Sequence, residues 1–214
     1  MRIDTTTVNF NSNTHRDRWE QWNSLNSPKY PHEKVIQFVF RNFPVEVRKN
    51  TKALDLGCGS GANTVFLASE GFIVSASDIS TRGISNTRKR LDMKGLQAEL
   101  RVEPIEYISF PKESFDLIIC IGVFDAAGVD YSTKCIEQAF KVLKTGGKGI
   151  FLFASEVDFR IQQQNPLALH GYSDAEVGLM FSRCEWSCLY IDRYITTFQN
   201  GAFQSNDFLV TVEK

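Results

Sequence analysis

The sequence predicts an α/β chain: a doubly wound, mostly parallel seven-stranded sheet that ends in a C-terminal antiparallel hairpin. Three observations predict it. From Thr51 onward, short apolar runs alternate with segments of helical periodicity. The first run, Ala53-Leu54-Asp55-Leu56, leads directly into a glycine-rich turn, Gly57-Cys58-Gly59-Ser60-Gly61, and then into a helix start. The last two strand-like runs, about 186–198 and 206–212, flank Asn200-Gly201, a dipeptide suited to a hairpin turn.

The elements follow in order. Residues 1–13 are polar and rich in Thr and Asn, which reads as an arm or loop. A helical segment over 15–26 carries Trp19 and Trp22, whose i, i+3 spacing puts both indoles on one face. They either pack that helix on the core or roof a pocket. Pro28 and Pro31 separate it from a second, amphipathic helix bearing Val35, Ile36, Val39 and Phe43, which Pro44 ends near Asn42. Strands are expected over about 52–56, 72–77, 98–103, 115–121 and 148–154, with helices over about 62–70, 81–94 and 131–143 between them. Gly71 and Gly95 close two of these helices. Thr145-Gly146-Gly147 is the turn into the fifth strand. Ser173 with Glu176 forms a capping box for a helix over 173–181.

Composition sets the bounds. A chain of 214 residues fits one domain, and 43% hydrophobic content is enough to build its core. We divide it into an N-terminal arm with helices (1–45) and a core (51–214). A net charge of −1 supplies no basic field for nucleic acid or a membrane surface. The basic residues Arg82, Arg88, Lys89 and Arg90 read as a solvated helix face. Five cysteines without metal-like pairing read as reduced thiols, and no metal site is expected. The first residues lack the apolar core of a signal peptide, and no apolar run reaches the length of a membrane span. A cytoplasmic location is the expectation.

The glycine turn carries the chemistry. Glycine admits positive φ and lets a ligand touch the backbone, while the following helix start offers free N–H groups. The spacing is G-x-G-x-G rather than the dinucleotide G-x-G-x-x-G, and Asp55 stands two residues before it. A carboxylate there repels a pyrophosphate and suits a cationic ligand such as S-adenosylmethionine (SAM). The alternative is a structural glycine turn in another α/β fold. Asp78, at the end of the second strand and about twenty residues beyond Gly57, can accept ribose hydroxyls or can serve as the negative charge at a helix start.

Asp55-Leu56-Gly57-Cys58-Gly59-Ser60-Gly61 resembles the first motif of class I SAM-dependent methyltransferases, Asp78-Ile79-Ser80 their second, and Ser114–Cys120 their fourth-strand motif. Leu143-Lys144-Thr145-Gly146-Gly147 is similar to their usual Leu-Lys-Pro-Gly-Gly turn, with Thr145 in place of proline. The resemblance covers about 51–154 and implies a seven-stranded Rossmann-like domain binding SAM and releasing S-adenosylhomocysteine (SAH). It places Asp55, Gly57, Cys58, Gly59 and Gly61 at the cofactor, and Asp78 with Ile79 at the ribose. It also places Glu103 or the backbone of Ile105 at the adenine, and Ile121 with Gly122 under the methionine part. Pro104 departs from the Asp-Ala common at the adenine loop, and Val123-Phe124-Asp125-Ala126-Ala127 lacks the histidine that many relatives carry there. The N-terminal helices are similar to lids of small-molecule methyltransferases, with Tyr30 over the cofactor and a small-molecule acceptor as the expectation. Asp125, His170, Tyr172, Tyr30 and His32 are the groups that could face the acceptor, and none is assigned a catalytic role. No nucleic-acid or membrane partner is expected, and the oligomeric state stays open. Three other readings remain: a SAM-binding regulatory protein without turnover, a protein or RNA methyltransferase, and an NAD-dependent oxidoreductase. Asp55 and the hairpin tell against the last.

Overall fold

The computed structural model describes residues 12–162 and 169–214. Its strands are β1 (Lys52–Leu56), β2 (Ile73–Asp78), β3 (Glu99–Val102), β4 (Phe115–Ile121), β5 (Leu143–Ala154), β6 (Cys188–Phe198) and β7 (Phe203–Glu213). They form one sheet in the order β3-β2-β1-β4-β5-β7-β6. β1 to β5 pair in parallel, and β7 runs antiparallel between β5 and β6. This is the doubly wound sheet with a terminal hairpin that the sequence predicts. The strand order reverses between β1 and β4, so their carboxyl ends open a crevice there.

The helices are α1 (Ser12–Leu25), α2 (Glu33–Asn42), α3 (Val45–Arg48), α4 (Ala62–Ser69), α5 (Thr81–Met93), α6 (Val129–Val142), α7 (Phe159–Gln162) and α8 (Asp174–Phe181). Successive strand residues feed opposite faces of the sheet. Leu54, Leu56, Ile118, Cys120, Phe151 and Phe153 pack with Ile136 and Val142 of α6 and Met180 and Phe181 of α8. Ala53, Leu117, Ile119 and Ile150 pack with Val35 and Val39 of α2 and Leu67 of α4. Burial on both faces explains the continuous apolar run of β4.

Several local readings are met with small shifts. The Ser173–Glu176 capping box is present, and a 3-10 turn over Gln199–Gly201 closes the β6–β7 hairpin. β5 starts at Leu143, which pairs with Phe115, and full pairing resumes only at Lys148 opposite Leu117. The expected Thr145-Gly146-Gly147 turn is thus an irregularity inside the strand. α3 and α7 were not expected; each is a single turn, too short to leave a periodic signal. Most of the expected N-terminal arm lies outside the described residues.

α1 begins at Ser12 and is fastened to α5 at its start. The Glu20 carboxylate accepts the N–H groups of Thr81 (2.7 Å) and Arg82 (3.0 Å) and the Ser80 hydroxyl (3.0 Å). These are the open donors at the positive end of a helix. Arg16 donates to Thr81 Oγ1, Asn86 to the Asn23 carbonyl and Arg90 to the Ser27 carbonyl. Partial burial raises the Glu20 pKa, but the two N–H bonds, the Ser80 hydroxyl and Arg16 outweigh it and hold the carboxyl below its ordinary value. A depressed pKa contributes stability above the ordinary carboxylate range and loses it as pH falls through the folded value. Glu20→Ala is expected to lower unfolding stability by about 1 kcal/mol at pH 7, with the difference vanishing at a strongly acid pH, below the titration of the folded carboxyl. Denaturant titrations at the two pH values check this, and an equal loss at both would remove the carboxylate from the fastening.

Candidate functional site

The glycine turn leaves β1 and is tied to β2 by two bonds, from Gly57 N–H (2.8 Å) and Cys58 N–H (3.0 Å) to the Ser77 carbonyl. Gly57 has φ +69°, and a Cβ there would lie 2.4 Å from Val123 Cγ2 and 3.3 Å from Ile105 Cδ1. The turn therefore presses against both the β4 loop and the loop after β3, which no side chain at position 57 would permit. Gly61 caps the N-terminus of α4 in the left-handed conformation.

Asp55 lies behind the turn. It is 1% exposed, accepts the Thr64 hydroxyl at 2.6 Å, and is absent from the cavity wall. Burial lifts its pKa to about 7, against the opposing Thr64 bond. That bond braces α4 to β1. Asp78, at the tip of β2, does line the cavity. Its Oδ2 accepts Gly59 N–H at 2.8 Å and its Oδ1 accepts Ser80 N–H at 2.8 Å. Burial raises this carboxyl to about 6, opposed by those two bonds.

The cavity, about 450 Å³, runs from Asp78 along the turn to the ends of β4 and α7. Of the residues expected at the cofactor, Gly57, Cys58, Gly59, Asp78, Ile79, Ile105, Ile121 and Tyr30 line it. Tyr30 stands at the rim, 82% exposed. Asp55, Gly61 and Glu103 do not line it. Glu103 instead accepts the Ser109 hydroxyl (2.6 Å) and N–H (3.3 Å), whereas Ile79 and Ile105 give the cavity wall apolar surface.

The acceptor candidates divide in the same way. Asp125 and His32 line the cavity, and His170 and Tyr172 do not. Tyr172 is fully buried, and its hydroxyl bonds Ser132 Oγ (2.7 Å) and the carbonyls of Phe124 (3.0 Å) and Ala127 (2.9 Å). It fastens the loop after β4 to α6. The Asp125 Oδ1 accepts Ala154 N–H at 2.6 Å, and burial raises its carboxyl to about 6. His32 Nδ1 accepts Lys34 N–H at 3.2 Å, which leaves Nε2 as the protonated nitrogen of a neutral ring. Burial lowers the His32 pKa further, so the ring offers a donor near pH 7.

Sequence reasoning missed His15, Asn23, Asn63 and Arg160, all on the wall. Trp19 and Trp22 line the cavity too, so α1 forms its roof. His15 accepts from Trp19 Nε1 at 3.0 Å and meets the Tyr131 ring edge-on at 5.3 Å. Arg160 Nε and Nη2 grip the Asp158 carboxylate at 2.8 Å each, and Nη2 also pairs with Asp207. The i, i+4 step from His15 to Trp19 is the signal that could have found His15; the roles of Asn63 and Arg160 depend on contacts distant in sequence.

A ribosyl cofactor fits this wall. Gly83, in the first turn of α5, lets that helix pack closely on the turn: a Cβ there would meet the Gly59 carbonyl at 2.9 Å, Asn23 Nδ2 at 3.0 Å and Asp78 Oδ1 at 3.3 Å. Beside it stand an acceptor carboxylate for hydroxyls and the apolar Ile79 and Ile105 for a base.

Comparison with known proteins agrees with this geometry. The family described as Methyltransferase domain matches residues 53–147. A ubiquinone biosynthesis O-methyltransferase of Coxiella burnetii is 28% identical over 103 residues, covering 48% of this chain and 43% of that protein. The chain thus matches less than half the length of this curated relative. Among solved structures, a SAM-dependent methyltransferase of Methanosarcina mazei superposes with a TM-score of 0.67 at 20% identity, covering 82% of this chain and 96% of that one. Magnesium protoporphyrin IX methyltransferase of Synechocystis PCC 6803 with bound SAH gives 0.64 at 17% identity, covering 99% and 90%. At these identities the structural matches establish the fold.

An ionised Asp78 carboxylate is a stronger hydroxyl acceptor than the neutral acid. Its raised pKa means that its contribution to stability is lost as pH rises through about 6, while its strength as a hydroxyl acceptor grows over the same range. Asp78→Ala is expected to weaken SAH binding by about 1–3 kcal/mol at pH 7.5. The wild-type affinity is expected to fall as pH drops through 6, which calorimetry at both pH values measures; affinity unchanged by either would place the ribose elsewhere.

Proposed function

We propose that this chain, whose residues 53–147 belong to the methyltransferase domain family and whose sheet is that of the class I SAM-dependent methyltransferases, moves a methyl group from SAM to a small-molecule acceptor. The observation that carries this is the continuity of one cavity. It begins at Asp78 and the glycine turn and runs under the aromatic roof of α1 to Asp125, His32 and Arg160.

Bound SAM supplies an activated methyl group on a sulfonium. The chain holds the nucleophile in line and excludes water, and such positioning accounts for much of the acceleration in reactions of this kind. The turn backbone and Asp78 hold the nucleoside end. Trp19, Trp22 and Tyr131 give the remaining wall an aromatic, water-excluding surface. The guanidinium of Arg160 is already gripped by Asp158 and Asp207, so the polar groups at that end are fixed before an acceptor arrives. The roof helix covers part of the space above the turn, which favours a small acceptor over a polymer. The relatives named for ubiquinone biosynthesis support an O-methyl acceptor as the first class to screen.

A thermal-shift series tests the proposal. SAM and SAH should each raise the melting temperature in a concentration-dependent way, as ligands of the folded state do, and NAD should not. A shift with NAD alone would overturn the cofactor assignment. SAM binding with no methyl transfer to any small hydroxylated acceptor, together with capture of a specific RNA or protein, would move the acceptor to that polymer.

A further inference from the structure

Asn23, on α1, is a polar side chain that the fold buries at the cofactor end of the cavity. It is 4% exposed and lines the cavity. Its backbone carbonyl is held by Asn86 Nδ2 at 2.9 Å, and its Oδ1 accepts the Ser60 hydroxyl at 3.3 Å. Its Nδ2 is buried and has no hydrogen-bond partner. That nitrogen lies 3.0 Å from the point a Cβ on Gly83 would occupy, the same point that is 2.9 Å from the Gly59 carbonyl and 3.3 Å from Asp78 Oδ1. The orphaned donor and Asp78 Oδ1 thus approach one point beside the turn, within 3.0 and 3.3 Å of it, a separation that a single hydroxyl can span.

A buried N–H without a partner is costly, and a hydroxyl that donates to Asp78 still has lone pairs to accept with. We propose that Asn23 is a cofactor-binding residue carried by the roof helix: its Nδ2 donates to a ribose hydroxyl oxygen while that hydroxyl donates to Asp78. This rests on the SAM-dependent reading above and extends it, because it makes α1 part of the nucleoside site as well as its cover. The pairing is specific for a free hydroxyl, since a phosphate on the ribose would meet the Asp78 carboxylate.

Calorimetry with SAH and its 2′-deoxy and 3′-deoxy ribose analogues tests it. Asn23→Ala should bind SAH about five- to thirty-fold more weakly than wild type, the scale of one lost hydrogen bond in a dry site. One of the two deoxy analogues should bind wild type and variant equally, because the contacted oxygen is already gone. Asn23→Asp, which keeps the Ser60 bond and replaces the donor by an oxygen, should weaken SAH binding as well. SAH affinity unchanged in both variants would overturn the assignment, and so would a loss of equal factor for SAH and both analogues, which would mark a purely structural role. Failure of the wild-type chain to bind SAH would instead overturn the methyltransferase reading on which the assignment rests.

Discussion

The site depends on a carboxylate that the fold withholds from water. Asp78 ends β2 beside the glycine turn, and its two oxygens take the N–H groups of Gly59 and Ser80. Those bonds fix the turn against the start of α5, so the ends of β1 and β2 and two helix N-termini meet around one negative group. Two backbone N–H bonds lower its pKa, yet burial wins and raises it. The ligand-free protein thus carries a carboxyl that is destabilising when ionised, and an incoming ligand with hydroxyls can offset that cost. Asp55 repeats the arrangement one layer deeper, where Thr64 takes the role of partner.

The roof follows from the same geometry. α5 begins shortly after Asp78, and its open N–H groups at Thr81 and Arg82 donate to the Glu20 carboxylate of α1. The fastening places His15, Trp19, Trp22 and Asn23 over the cavity from a single helix. On the opposite wall, Tyr172 ties the loop after β4 to α6 through Ser132 and two carbonyls, which sets Val123 against Gly57 and places Asp125 at the cavity. Two side chains outside the glycine motif therefore decide the shape of the space that the motif opens.

The sheet was legible because its signals are local: short apolar runs, Gly71 and Gly95 after helices, the Ser173–Glu176 box and Asn200-Gly201. The turn and Asp78 were legible because their spacing along the chain fixes their spacing in space. Asp55 shows the limit of that logic. Its position in the motif is plain, but only the packing shows the side chain turned to Thr64. Glu103 likewise stands beside the expected adenine loop and turns to Ser109. Asn23 and Arg160 gave no signal, because their meaning comes from partners such as Ser60 and Asp207 that are far away in sequence. Trp19 and Trp22 were legible as one face, and the choice between core and roof required the tertiary arrangement.

The most direct measurement is a crystal structure of the chain grown with SAH. The account predicts the ribose hydroxyls on Asp78, the adenine between Ile79 and Ile105, the homocysteine tail running past Gly57 toward Gly122, and α1 closed over all three. SAH bound outside this cavity, or a ribose turned away from Asp78, would contradict it.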